Sequence, residues 1–229
     1  MHHEHHLKSS ETIQDIVIGM SDGLTVPFAL AAGLSGAVNS SGIVITAGIA
    51  EIVAGSIAMG LGGFLAGKTE SDHYESELKR EYDEVDRVPE QEKMEVREVF
   101  AGFGLSEHLQ HEVTEEISKD KDKWVDFMMR YELGLEKPHP GRASRSALTI
   151  GVSYIVGGII PLSPYFFIAD SQHALYYSCA ITVVCLFVFG YFKSKVTGQP
   201  PFAGALKVLV IGALAAAAAF GMAKLINGH

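Results

Sequence analysis

The chain has 229 residues, 48% of them hydrophobic, and a formal net charge of −9. That length allows one large domain or two small ones, and no nucleic-acid partner is expected of so acidic a chain. Its two cysteines, Cys179 and Cys185, lie inside one apolar run, so they read as small core residues rather than as a disulfide framework.

The charge is unevenly spread. Residues 68–136 hold 21 acidic and 10 basic residues, whereas the rest of the chain holds 6 and 8. This is the pattern of an apolar body with one acidic soluble insert, and it divides the chain into 1–67, 68–136 and 137–229. The expected fold class is all-α: five transmembrane helices with an inserted helical metal-binding domain.

In chain order, His2, His3, His5 and His6 form an N-terminal cluster that carries no structural weight. The first expected span is 13–38. Within it Asp22 stands five residues before Pro27 in an apolar run. An ionisable residue at membrane depth is costly and by default functional. Pro27 removes a backbone donor and crowds the carbonyl of Gly23, which predicts unwound backbone beside Asp22. Glu11, Asp15 and Asp22 are spaced i, i+4, i+11, so they form one stripe running about 16 Å along the helix. The same face continues through Ala29, Gly33 and Gly36, all small. For Glu11 and Asp15 an ordinary place in the first turn of a helix is an equally good reading.

The second span, 42–67, adds Glu51 and Met59 among small residues. Thioether sulfur suits softer transition metals and offers nothing to Ca²⁺ or Mg²⁺. From Lys68 this helix is expected to continue, charged, to about residue 87. Helices at 90–102 and 106–120 follow, then a shorter segment to Leu135. Carboxylates recur at i, i+3 in Glu81/Glu84, Glu92/Glu95 and Glu112/Glu115, which puts each pair on one helix face. Like charges so placed repel, and a shared cation relieves them; a solvated acidic face is the plainer reading of any single pair. Met128, Met129 and Glu132 are placed either over such a cluster or beneath it. Glu70-x-x-His73 and His108-x-x-His111 also have ligand spacing.

Further spans are expected at 146–169, 172–193 and 203–227. Lys and Arg concentrate on the connections that share the N-terminal side, while 39–41 and 170–172 carry none. The positive-inside rule therefore places the N-terminus and the acidic domain in the cytosol and the C-terminus on the far side.

Asp22-Gly-Leu-Thr-Val-Pro27-Phe resembles the first-helix signature of the vacuolar iron transporter family, to which the yeast calcium cross-complementer also belongs. Ala54-Gly-Ser-Ile-Ala-Met59-Gly-Leu-Gly-Gly-Phe-Leu65 resembles the second signature, and Ser153-Tyr154-Ile-Val-Gly157-Gly158-Ile-Ile-Pro161-Leu-Ser-Pro164-Tyr the third. The acidic insert is similar to that of plant members. The resemblance implies a homodimer in the vacuolar membrane that exports Fe²⁺ from the cytosol in exchange for protons, along a path between the two first helices. It implies no prosthetic group, and binding of other divalent transition metals such as Zn²⁺, Mn²⁺ and Co²⁺. Asp22 and Met59 match the intramembrane ligand positions, and Glu51 an acid near the path, with Glu11 and Asp15 leading to it. Glu81, Glu84, Glu92, Glu95, Met128, Met129 and Glu132 match the metal-binding domain. Two other classes remain open at this point: a membrane-bound di-metal carboxylate oxidase, and a metal sensor with structural spans.

Overall fold

The computed structural model describes residues 10–227, and the N-terminal histidines lie outside them. The described elements are helices: α1 (Ser10–Ser35), α2 (Ser41–Arg87), α3 (Pro89–Gly102), α4 (Glu107–Ile117), α5 (Lys121–Phe127), α6 (Arg142–Leu162), α7 (Ser171–Val196) and α8 (Pro201–Asn227). A π-helical turn, Met128–Glu132, continues α5, and a 3₁₀ turn, Ser163–Phe166, continues α6. Five of the helices are long and apolar enough to cross a membrane: α1, α2, α6 with its 3₁₀ extension, α7 and α8. The fold is therefore all-α, with the five spans that the hydropathy pattern predicts.

Three local expectations change. Helix α1 is unbroken through Pro27, so no unwound segment flanks Asp22. The proline lacks its N–H, but its ring packs close to Gly158 of α6, where an added Cβ would lie 3.1 Å from Pro27 Cγ. The helix expected over 106–120 ends at Ile117. Asp120 takes extended backbone angles and its side chain accepts from the Lys123 N–H at 3.3 Å, so it caps the next helix instead of finishing the last one. The third span ends earlier than residue 169, because the Pro161 and Pro164 pair gives way to the 3₁₀ turn.

The chain forms two compact units. One comprises residues up to Phe64 together with those from Ala143; the other is Leu65–Arg142. In the first, Ala31, Val44, Ile52, Leu162, Tyr165 and Ala174 make a buried core. Ser35 and Tyr165 share a buried hydroxyl hydrogen bond of 2.9 Å inside it. Large apolar side chains such as Ile57, Leu148, Val184 and Leu214 remain exposed, the arrangement expected where the surrounding medium is hydrocarbon. The short connections after α1 and before α7 are stitched together. Ser40 and Asp170 form an antiparallel bridge, the Ser41 N–H donates to the Ala169 carbonyl at 3.1 Å, and the Ser171 hydroxyl donates to the Val38 carbonyl.

Helix α6 lies against α1 at backbone contact. A Cβ on Gly23 would sit 2.4 Å from the Tyr154 carbonyl oxygen, and one on Gly157 would sit 2.9 Å from the Leu24 nitrogen. Small residues permit such approach, and close helix packing is what holds helices together in lipid.

The Leu65–Arg142 unit has its own core of Val85, Val96, Trp124, Val125, Met128 and Met129. Ion pairs and hydrogen bonds tie its helices together at the surface. Lys93 donates to both oxygens of Glu115 at 3.0 and 2.9 Å, Tyr82 donates to Asp122 at 2.8 Å, and Lys121 meets Asp86 at 2.6 Å.

Gly23→Ala is expected to destabilise the detergent-solubilised protein by about 1–3 kcal/mol, the usual cost of overpacking a tight contact. Gly62→Ala, with nothing within 4 Å of the added methyl, is the control and should melt like the parent. Equal melting temperatures for the two variants would show that the α1–α6 approach is looser than described.

Candidate functional site

In the unit built from the apolar helices, α6 supplies hydroxyl partners to acids on α1 and α2. Asp15 of α1 is buried, and the Ser146 hydroxyl donates to its Oδ1 at 2.9 Å. Asp15 is thus an internal group, not an exposed first-turn acid. Glu51 of α2 accepts from the Tyr154 hydroxyl, while its other oxygen, Oε2, is buried with no hydrogen-bond partner among the described residues. Tyr154 lies between the two acid-bearing helices: its carbonyl faces Gly23, and its hydroxyl end faces Gly55, where an added Cβ would lie 2.5 Å from Oη. Glu51, Gly55 and Met59 follow i, i+4, i+8 along α2, and Glu51 and Met59 are half-buried. Asp22 and Glu11 are half-buried on α1. No Lys or Arg occurs in α1 or in the apolar part of α2 up to Gly67. Neither Ser146 nor Tyr154 is marked as a site residue by any spacing in the sequence. Tyr154 stands within a recognisable motif, but its role becomes visible only when three helices come together.

In the Leu65–Arg142 unit the structure brings Glu81 and Glu84 of α2 together with Glu92 of α3. One oxygen from each lies within 4.8 Å of the others. Glu81 and Glu92 are each only 2% exposed, and Oε2 of both has no hydrogen-bond partner among the described residues. Two more acids complete the group. Burial, then the charges of Glu95, Glu81, Glu84 and Glu132, pushes the Glu92 carboxyl up to about 7. Glu132 keeps a solvent-exposed edge, yet burial of its carboxyl followed by Glu95 and Glu81 pushes it up to about 7 as well. Glu81 is raised by burial and then by Glu84, with Arg80 opposing. Five carboxylates are therefore electrostatically coupled, where a divalent cation would relieve both repulsion and desolvation.

The π-helical turn carries Met128, Met129 and Glu132, and such turns recur at functional sites. Both methionines are fully buried in the apolar core. Arg80 is the residue that the spacing of acids does not reveal. Its guanidinium lies 3.5 Å from Glu81 and 3.4 Å from Glu84.

Other candidates resolve differently. Glu115 is held by Lys93 and lies 3.8 Å from Arg97, so its carboxyl is pulled below the usual range, first by the Lys93 hydrogen bond. Glu112 faces His108 at 3.5 Å on the exposed surface. Glu70 accepts from Arg142 at 3.1 Å and is engaged there, while His73 lies 3.9 Å from Glu77, beyond hydrogen-bond length.

Residues 13–224 match the VIT family profile. The vacuolar iron transporter 1 of Oryza sativa subsp. japonica is 52% identical over 226 residues, covering 99% of this chain and 90% of the rice protein. The vacuolar iron transporter of Centaurea cyanus is 55% identical over 223 residues, covering 97% and 91%. Protein CCC1 of Saccharomyces cerevisiae is 41% identical over 228 residues, covering 94% of this chain and 69% of the yeast protein.

The raised acids fix the sign of a pH effect. The carboxyls of Glu92 and Glu132, at about 7 in the folded chain against an ordinary 4.5, bind protons more tightly folded than unfolded. The stability they contribute is full below 4.5 and is lost as pH rises through 7. Metal-free protein should therefore melt at falling temperature between pH 5 and 8, and added Zn²⁺ should restore more at pH 8 than at pH 5. A Zn²⁺ effect that is independent of pH would detach the metal from these carboxylates.

Proposed function

This chain belongs to the VIT family, and from that membership we propose that it is a transporter carrying Fe²⁺ out of the cytosol into the vacuole in exchange for protons. The names of the rice and cornflower relatives support iron as the cargo and the vacuolar membrane as the location. Zn²⁺, Mn²⁺ and Co²⁺ are expected to share the path, since a site of carboxylates with one thioether distinguishes them weakly.

The observation that carries the reading is Glu51: a carboxylate within an apolar helix, held by a neutral hydroxyl, with its second oxygen buried and unpartnered. A hydroxyl orients a carboxylate without neutralising it. What remains is a ligand oxygen for a cation or a proton. We assign the path to Glu11, Asp15, Asp22, Glu51 and Met59. Ion capture we assign to residues 68–136, through Glu81, Glu84, Glu92, Glu95 and Glu132, with Met128 and Met129 behind them. The distribution of Lys and Arg supports a cytosolic N-terminus and acidic domain, and a lumenal C-terminus. The half-buried Glu11 and Asp22 of α1 support a homodimer in which two copies of this helix face one path.

Metal ligation needs a deprotonated carboxylate and releases its proton. One site that takes either a metal or protons, opened alternately to each side, is sufficient for exchange. An acidic lumen protonates the site and expels the metal, and the neutral cytosol lets it reload. The di-metal oxidase reading is weaker, because it requires paired Glu-x-x-His motifs and Glu70 of the one good candidate is held by Arg142.

Oriented proteoliposomes should accumulate Fe²⁺ faster with an acidic interior, and each metal entering should bring a proton out. Asp22→Asn should abolish the uptake while folding and oligomeric state stay intact. Equal uptake with and without the gradient, and no proton movement, would make the protein a uniporter.

A further inference from the structure

Arg80 stands among the acids of the Leu65–Arg142 unit, and the functional reading above gives it nothing to do. Its Nη2 lies 2.7 Å from Glu77 Oε2 and 3.5 Å from Glu81 Oε1, and its Nε lies 3.4 Å from Glu84 Oε2. Glu81 and Glu84 belong to the trio whose oxygens converge with that of Glu92; Glu77 does not. The Glu77 contact has the length of a charge-assisted hydrogen bond, and the other two are at the outer edge of one. The guanidinium thus straddles the rim of the cluster. It is held firmly outside and loosely inside.

Among the described residues, Arg80 is the cation that pairs with Glu81, and no ion pair reaches Glu92. Glu81 and Glu92, each 2% exposed, keep Oε2 without a hydrogen-bond partner among the described residues. Buried acceptors left bare on one side, with an arginine half in place on the other, describe a group of acids that one fixed positive charge does not satisfy. The Arg80 side chain is half exposed, so it can swing without disturbing the apolar core.

We propose that Arg80 is a resident counter-cation: it holds the metal-free glutamate cluster together, and a divalent cation displaces it onto Glu77. This rests on reading the cluster as the ion-capture site. The exchange favours divalent ions by charge alone. A monovalent ion replacing the guanidinium gains no charge, whereas a divalent ion gains one. Glu77 sits three residues before Arg80 on the same helix face, and so gives the displaced arginine a place to rest without leaving the surface. Arg80 acts through the carboxylates and does not touch the metal, so it is a positioning residue. Ordinary helix-surface pairing between Arg80 and its neighbours makes no prediction about metal affinity; displacement does.

The test is Zn²⁺ titration calorimetry on the full chain in detergent, with melting temperatures measured alongside. Arg80→Gln should tighten Zn²⁺ binding by about threefold to fivefold, the upper range for one partly exposed ion pair. The same variant should melt lower without metal and gain more on adding Zn²⁺. Arg80→Lys, which keeps the charge but loses the planar fork, should fall between the parent and Arg80→Gln. Glu77→Gln should weaken Zn²⁺ binding in the parent background and have a smaller effect once Arg80 is Gln. Unchanged or weaker binding in Arg80→Gln, or a Glu77→Gln effect of equal size in both backgrounds, would overturn the proposal. Glu81→Gln with Glu92→Gln separates the two readings. If that variant binds Zn²⁺ normally, the cluster reading fails and the arginine with it. If it loses binding while Arg80→Gln tightens nothing, the arginine proposal fails alone.

Discussion

A carboxylate taken out of water must be given a proton, a cation or a set of donors, and the rest of this structure follows from how that demand is met. Helix α6 meets it for Asp15 and Glu51 with Ser146 and Tyr154, both uncharged donors. A lysine at either place would form a closed ion pair and neutralise the acid. A hydroxyl fixes the geometry of one oxygen and leaves the negative charge available. In the Leu65–Arg142 unit the demand is met less completely. Two glutamates almost sealed from solvent keep an oxygen bare, and three more press on them electrostatically.

The packing of α1 on α6 makes the first arrangement possible. With no side chain on Gly23, the α1 backbone reaches the Tyr154 carbonyl. The ring of that residue is then carried across to Gly55 and Glu51 of α2. The small residues along these helices are thus part of how the acids are positioned.

Much of this was legible in the sequence, because membrane spans and acid spacing are local patterns. The five spans follow from runs of apolar residues, and α2 continues as a charged helix to Arg87 as its helix-forming sequence indicates. The pairing of Glu81/Glu84 with Glu92 was half legible. The i, i+3 rule puts two acids on one face, but that α2 and α3 bring those faces together depends on Val85, Val96 and Trp124 packing beneath them. The third i, i+3 pair has the same spacing and a different fate, since Lys93 and Arg97 reach Glu115 first. Pro27 misled because a proline's missing donor is local knowledge, whereas its close packing against Gly158 of α6, in a helix that continues through it, is tertiary. The hydroxyl partners Ser146 and Tyr154 were not legible at all; common residue types acquire a role here only through contacts more than a hundred positions away in the chain.

That separation bears on how the protein is made. Tyr154 follows Glu51 by 103 residues. At the usual pace of synthesis, about 5–20 residues per second, its hydroxyl emerges roughly 5–20 s after the carboxylate it serves. During that interval Asp15 and Glu51 have been made, while Ser146 and Tyr154, the donors that hold them in the folded chain, have not. Most of that separation is the Leu65–Arg142 unit, so the length of the acidic insert sets the delay between an acid and the hydroxyl that holds it.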